Sequence, residues 1–473
     1  DAHVSRLCAD FKIAEEPAEE MRPSRRCKMK GRKWLIMAFI LVLGWGPMTY
    51  LPAETLDTLS DDKVTLEALI RYAYEKNPSI QTARHAWRAT LENYRVVTGY
   101  PDPQLNAFYY PNPIETRLGP QDWNVSLSQR IPFPGKLSKA GEVVESEARI
   151  AHLKLDKIAR GVVKSVKESY YELRYIRKAK RIADENLKLL QHLRKVGETA
   201  YARDRAALLD MVKAQSQLGQ IRYDRVLLGD LEEVEMTRLN TLLNRSPGVR
   251  IGPLRSTPIQ RIRYNLKQLY EMAEKNQEDI LVTERQIDKA EAKVDLAHLE
   301  NRPDFNVGLF YGSIGKPDIP QQPRDAGRNA LGIQVGVTIP IWFGKNRGRV
   351  ERAFAERKMA REEKEALVSQ VQGRIRSIFF RLENAKRLIL LYQNDLLPQA
   401  AKAMEIAETW FRESHSTFSD FIEAQAVWYN FQLALARARA DYGKYLARLE
   451  PLIGQSIAAP EKPPGRNMEK GEE

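Results

Sequence analysis

The residue types that carry most protein chemistry are sparse in this chain and do not converge. Its six histidines, His3, His85, His152, His192, His298 and His415, include no i,i+4 pair. The spacing by which one helix face presents two imidazoles to zinc is therefore missing. Both cysteines, Cys8 and Cys27, precede an apolar run near the N-terminus. Everything after that run lacks a thiolate ligand, a cysteine nucleophile and a disulfide. No phosphate-cradling glycine loop is present, and GYPDP, Gly99 to Pro103, reads as a turn into a strand. The expectation is a protein that is no enzyme and needs no cofactor or metal.

What does recur is mechanical. NVSLSQRIPFPGK, Asn124 to Lys136, alternates apolar and polar residues and then stops at two prolines, a glycine and a lysine. QVGVTIPIWFGK, Gln334 to Lys345, does the same. The flanks match as well. Leu66 to Tyr110 and Leu266 to Tyr311 share a Leu-x-x-Leu opening, Glu-Lys-Asn, an amphipathic stretch, a Pro-Asp turn and an alternating aromatic strand. Each copy continues into a long helical pattern. Each then has a stretch with an aromatic nine residues before Asp that ends in Ala-Gln: Tyr201 to Gln215 and Phe411 to Gln425. One unit is thus written twice. The expected division is residues 1–53, an upstream segment and signal peptide; 54–245, the first repeat; 246–263, a linker; 264–450, the second repeat; and 451–473, a disordered tail.

The elements follow from periodicity. In the strands, Trp123, Val125, Leu127 and Ile131 oppose Asn124, Ser126, Ser128 and Arg130, and Leu331, Ile333, Val335 and Val337 oppose Gly332, Gln334 and Gly336. Apolar on one side and small or polar on the other fits a membrane barrel with lipid outside and water inside, and fits a sandwich strand equally. From Leu137 to Val196 there is no proline. Apolar residues recur three or four apart through Ile158, Val162, Val166, Tyr170, Leu173 and onward to Leu193. That predicts a helix of roughly 90 Å. Its counterpart runs from Arg347 to Trp410, with a kink expected at Pro398. Helices this long pack side by side as coiled coils.

Address and charge narrow the class. A basic stretch, Lys28 to Lys33, precedes an apolar run from Trp34 to Trp45 and a small residue at Ala53. This reads as a secretory signal with cleavage near Ala53, or alternatively as an uncleaved anchor. Met21 or Met29 is a more natural start than Asp1. The net charge is +13. Yet both signs interleave, as in ERAFAERKMAREEKEA from Glu351, which describes solvated helix faces and argues against nucleic acid as a partner.

Four amphipathic strands cannot close a barrel, whose lower limit is about eight. Open edges in lipid leave N–H and C=O groups unpaired at several kcal/mol each. The strands must then be pooled between copies, and each second strand must turn directly into a helix that leaves the membrane. Pro132 and Pro134 end the ladder, Gly135 permits the bend and Lys136 closes the motif. Pro340, Gly344 and Lys345 are expected to serve likewise.

This layout resembles the outer-membrane factor family, the TolC-like exit ducts of Gram-negative efflux and type I secretion systems. The resemblance covers about residues 62–452 and rests on the duplicated order, the two junction motifs and the two aromatic-to-Ala-Gln stretches. It implies a mainly α fold with a small β part. Two tandem strand-strand-long-helix repeats would form, in a homotrimer, a twelve-stranded outer-membrane β-barrel continuous with a periplasmic α-helical coiled-coil barrel. The implied partners are outer-membrane lipid, a periplasmic adaptor and an inner-membrane pump of the resistance-nodulation-division type. The PFPGK wording looks most like the heavy-metal cation branch. The resemblance further implies that Asp420 and Glu423 ring a closed aperture, with Lys213 in place of an acid in the first copy and Asp210 alone remaining there. Tyr201, Arg205, Ala206, Ala207, Phe411, His415, Ser416 and Thr417 are the implied adaptor-docking tips. Asp204 and Ser414 stand where the family often has glycine. A type I protein-secretion duct and an exported coiled-coil scaffold without a pore remain as alternatives.

Overall fold

The computed structural model describes residues 64–202, 208–255, 262–413 and 417–457. In chain order the elements are α1 (Leu66–Lys76), α2 (Pro78–Thr98), β1 (Gln104–Thr116), β2 (Gly119–Ile131), α3 (Lys136–Tyr201) and α4 (Leu208–Leu242). The second half repeats them as α5 (Leu266–Asn276), α6 (Glu278–Glu300), β3 (Asp304–Ile314), β4 (Ala330–Thr338), α7 (Phe343–Leu391), α8 (Leu397–Arg412) and α9 (Phe418–Ile453). Two units separate. The larger comprises Leu69–Val249 and Tyr264–Gln455. In the smaller, Val64 forms a parallel bridge to Leu254.

The helices start and stop where the side chains dictate. Asn77 caps α2, its side chain accepting from the Ser79 amide, with Pro78 at the first helical position, where a missing N–H costs nothing. Asn265 and Gln268 form a capping box on α5. With no internal proline, α3 continues for 66 residues, about 100 Å. Its buried stripe runs through Val162, Val166, Tyr170, Leu173 and Ile176 as the periodicity predicts. Ile158 is exposed instead, and Leu155 and Ala159 take the buried places at that end. The later helix is interrupted. α7 ends at Leu391, and a π-helical turn, Tyr392–Leu396, leads into α8, which carries Pro398 in its first turn. Pro398 has no N–H for the Asn394 carbonyl and its ring crowds it; widening the preceding turn relieves both. At the other end α9 runs on through Pro451 to Ile453, past the boundary expected at 450, and stops at left-handed Gly454.

α3 is the hub of the larger unit, packing against α2, α4, α6 and α9. Gly443 lets α9 come in close: a Cβ there would stand 2.6 Å from the Tyr171 ring. Some of the interleaved charges, expected as solvated faces, pair between helices. Glu172 accepts from Lys444 at 2.5 Å and Arg437 at 2.7 Å. Glu232 accepts from Arg177 at 2.8 Å and Lys180 at 3.0 Å.

The four strands make one antiparallel sheet in the order β1-β2-β3-β4. Leu105, Leu127, Leu309 and Ile333 lie opposite one another in a row across it, all exposed. Gln104, Ser128, Gly308 and Gln334 form a row on the other face. Among the described residues no helix is long and apolar enough to cross a membrane.

Burial works against the Glu172 charge, but the hydrogen bonds from Lys444 and Arg437 outweigh it and hold the carboxyl below its ordinary value of 4.5. A depressed carboxylate contributes stability above its unfolded pKa and loses it as pH falls through the folded one. Glu172→Gln should lower Tm at pH 7 and flatten the fall in Tm below about pH 4.5. Thermal melts between neutral and acidic pH check this; superimposable acid profiles would remove Glu172 from the groups responsible.

Candidate functional site

Two places carry the predicted residues: the strand-to-helix corners and the far end of the helices. At the first corner Pro132 ends β2, and Pro134 and Gly135 make the turn, Gly135 at φ +92°. Only glycine adopts that conformation without strain. The Lys139 amide then donates to the Gly135 carbonyl at 2.9 Å and α3 is under way.

The centre of this corner is a residue that sequence reasoning passed over. Asp304, the first residue of β3, is buried, and its carboxylate collects three donors. The Lys136 ammonium donates to Oδ1 at 2.6 Å, the Phe133 amide to the same oxygen at 3.0 Å, and the Arg130 guanidinium to Oδ2 at 2.6 Å. The Lys136 ammonium also reaches the Arg302 carbonyl at 2.8 Å. An acid of the second repeat thus ties the end of β2 to the start of α3. Its signal was the Pro-Asp step at Pro303 and Asp304, which looked like turn chemistry alone.

The second corner is built differently from the expectation. Gly344 does not make the bend: α7 already begins at Phe343, so Gly344 and Lys345 are helical, and Gly344 has no left-handed backbone. The chain turns earlier, through Pro340 to Trp342. The Ile341 amide donates to the Ile339 carbonyl and the Phe343 amide to the Ile341 carbonyl, each at 3.0 Å. The Asn346 side chain donates to the Pro340 carbonyl at 3.0 Å. The reason is one extra residue between proline and lysine, which lets the helix start before the glycine. Trp342 and Phe343 stand exposed at this corner.

At the far end, Thr417 caps α9. Its hydroxyl accepts from the Asp420 amide at 3.2 Å, and Asp420 Oδ2 accepts from the Thr417 amide at 2.9 Å and hydroxyl at 2.8 Å. Those bonds hold the Asp420 carboxyl below its ordinary value, with the Lys213 charge nearby adding to the effect. Asp420 and Glu423 are both exposed, one helical turn apart. Lys213 donates to the Ser419 hydroxyl at 2.7 Å. The two aromatics of the repeat part ways. Tyr201 is exposed at the end of α3, whereas Phe411 is partly buried against Phe418, ring centres 5.2 Å apart, beside a cluster with Leu190, Leu218 and Phe421. Arg205, Ala206, Ala207, His415 and Ser416 lie outside the described residues, as do Asp204, Ser414 and the signal segment.

The repeated Ala-Gln also resolves asymmetrically. Gln425 is fully buried and donates to the Asn186 side chain at 2.6 Å, while Gln215 is exposed on a cavity of about 460 Å³ lined with Arg194, Glu198, Met211 and Val212. Among the described residues no group of histidine, cysteine and carboxylate side chains could hold a metal ion.

This fold is that of outer-membrane channels. The structure is similar to crystal structures of CusC, with a TM-score of 0.70 and 14% identity over 84% of this chain and 93% of that one. It is similar also to the outer membrane protein VceC of Vibrio cholerae, with a TM-score of 0.68 and 18% identity over 83% and 96%. The outer membrane efflux protein family matches residues 69–244 and again 269–455, and the chain belongs to that family. Among characterised relatives, the pyoverdine export outer membrane protein OpmQ of Pseudomonas aeruginosa is 25% identical over 342 residues, 68% of each chain.

Removing one partner of a buried ion pair leaves the other charge unpaired, at about 3 kcal/mol or more. Lys136 and Asp304 are 13% and 7% exposed at the side chain, Arg130 62%. Asp304→Ala should therefore cost about 3 kcal/mol and Arg130→Ala less than about 1 kcal/mol, read from Tm of the detergent-solubilised protein. Equal losses in the two variants would mean that the carboxylate is not the centre of the corner.

Proposed function

We propose that three copies of this chain form an outer-membrane exit duct that passively conducts solutes delivered from the inner membrane. The observation that carries the reading is the sheet: an exposed apolar face, two open edges, and corners that pass straight into long helices, α3 about 100 Å and α7 about 74 Å. Twelve pooled strands satisfy the backbone in lipid. Exposed Trp342 and Phe343 suit an aromatic belt at the membrane interface. The helices carry the passage through the periplasm to a pump, of the resistance-nodulation-division type, and its adaptor, which meets the ends near Tyr201, Phe411 and Thr417 together with Arg205, Ala206, Ala207, His415 and Ser416. The duct performs no chemistry; the pump supplies the energy.

At the helix ends Asp420 and Glu423 from three copies place six carboxylates around one axis, where they attract cations and repel one another. The Thr417 bonds hold the Asp420 carboxyl below its ordinary value. The PFPGK wording supports heavy-metal cations as cargo. The relative named for pyoverdine export favours pyoverdine as a second reading of the cargo.

Single-channel conductance in planar bilayers tests this, with and without a trivalent cation. The wild type should give small cation-selective steps that the trivalent ion blocks. Asp420→Asn with Glu423→Gln should weaken the block about tenfold, a loss of about 1.4 kcal/mol. Asn at 420 still accepts from the Thr417 amide, so the start of α9 survives. Steps that ignore both changes would keep the duct and discard this pair; no conductance from a correctly folded trimer would discard the duct.

A further inference from the structure

Three aromatic residues of the strands lie on the face that the duct turns to water. Phe108 faces Asn124 across the first hairpin, and Asn124 faces Gly312. Phe310 faces Ser126 on one side and Gly332 on the other. Residues directly opposite point to the same side of a sheet, which here is the side of Ser128 and Gln334. Tyr110 joins them, its hydroxyl accepting from the Asn124 side chain at 2.9 Å. All three sit in the half of the sheet away from the strand-to-helix corners. Nearer the corners the same face carries Gln104, Ser128, Asn306 and Gln334, as a water-filled lumen requires.

Phe310 lies along the sheet over two glycines. A Cβ at Gly312 would stand 3.3 Å from its Cζ, and one at Gly332 would stand 3.9 Å from its Cδ1. The ring thus has a seat of bare backbone and remains partly exposed. Filling the space above glycines accounts for Phe310 in structural terms. It does not account for Phe108, which is 56% exposed on the water-facing side. A phenylalanine left that open adds little to the apolar burial that drives folding. Asn124, opposite Phe108 and diagonal to Phe310, is by contrast 7% exposed. The aromatic group is therefore a formed patch with a fixed amide in it, presented to the lumen.

We infer that Phe108, Tyr110 and Phe310 form a binding collar for flat, uncharged aromatic solutes in the outer half of the duct. This rests on the duct proposed above and adds what its wall recognises. In three copies the rings surround the passage at one level. A flat aromatic solute gains stacked or edge-to-face contacts there that an aliphatic one of equal size does not. The neighbouring polar groups suit the rim of such a solute. Asn106 lies in the row of Phe310, and Gln121 Nε2 would stand 3.1 Å from a Cβ at Gly312. Both supply donors and acceptors to ring substituents. The two rows that hold the phenylalanines, Asn106-Ser126-Phe310-Gly332 and Phe108-Asn124-Gly312-Ala330, contain no carboxylate. A cation therefore finds no counter-charge in them, and the collar is distinct in chemistry from the acidic helix ends.

Interruption of the single-channel current by caffeine, added on the side of the strand turns, tests the collar. Caffeine is flat, aromatic and uncharged; myo-inositol, of similar mass and without an aromatic ring, is the control. Caffeine should interrupt the wild-type current at concentrations where inositol does not. Phe108→Leu with Phe310→Leu keeps apolar bulk and should raise the half-blocking concentration about tenfold. Phe310→Tyr keeps the ring and should leave it within about twofold. Phe108→Leu alone, at an exposed position, should raise it about threefold without disturbing the fold. Equal interruption by both solutes would reduce the effect to crowding and overturn aromatic recognition. A current indifferent to caffeine, or a block that the leucine variants leave unchanged, would overturn the collar while the duct stands. No conductance from a correctly folded trimer would overturn the duct, and the collar with it.

Discussion

A strand in hydrocarbon must have every backbone N–H and C=O paired, and this one requirement shapes the rest of the protein. Among the described residues there are four strands, with two bare edges. Four strands close nothing by themselves, and in the proposed duct the sheet is one third of a pooled barrel. The helices obey the opposite rule. Their backbone groups are satisfied internally, so they can leave the membrane at any length, and what limits them is the need to lie against one another.

The corner between the two regimes is where the physical demands concentrate. A ladder must end, a helix must begin, and the chain must change direction within a few residues. At the first corner a left-handed glycine makes the turn and the Asp304 carboxylate gathers the donors around it. At the second, one added residue lets the helix begin sooner, and short amide-to-carbonyl bonds replace the glycine. Two solutions to one geometric problem coexist in a chain whose hairpins are otherwise in the same register.

Much of this was legible in the residues, and the exceptions have physical causes. The duplication, the two strand pairs and the long α3 follow from periodicity and from where prolines are absent, which are local properties. Pro398 announced an irregularity, and the helix answered with a widened turn just before it. What local pattern could not show is pairing at a distance. Asp304 looked like turn chemistry because its partners Arg130 and Lys136 are far away in sequence. Asp420 is a different case: Thr417 is only three residues away, and the capping box the two form is a local pattern. Tyr201 and Phe411 occupy equivalent places in the repeat, yet only Phe411 has a core to enter. Repeat symmetry in sequence therefore carried over to the backbone and failed for side chains whose surroundings differ.

The Asp304 contact also bears on the order in which the protein is completed. Lys136 and its acceptor are 168 residues apart. Closing so long a loop is entropically costly and is deferred until other contacts have brought its ends together. A chain built from its N-terminus therefore carries the first corner unfinished until the second repeat arrives. Until then Lys136 and Arg130 have no counter-charge there, and the β2 edge that β3 will cover remains open. A truncated product stopping short of Asp304 would retain that unfinished corner, which makes the carboxylate a mark of chain completeness as well as a clamp.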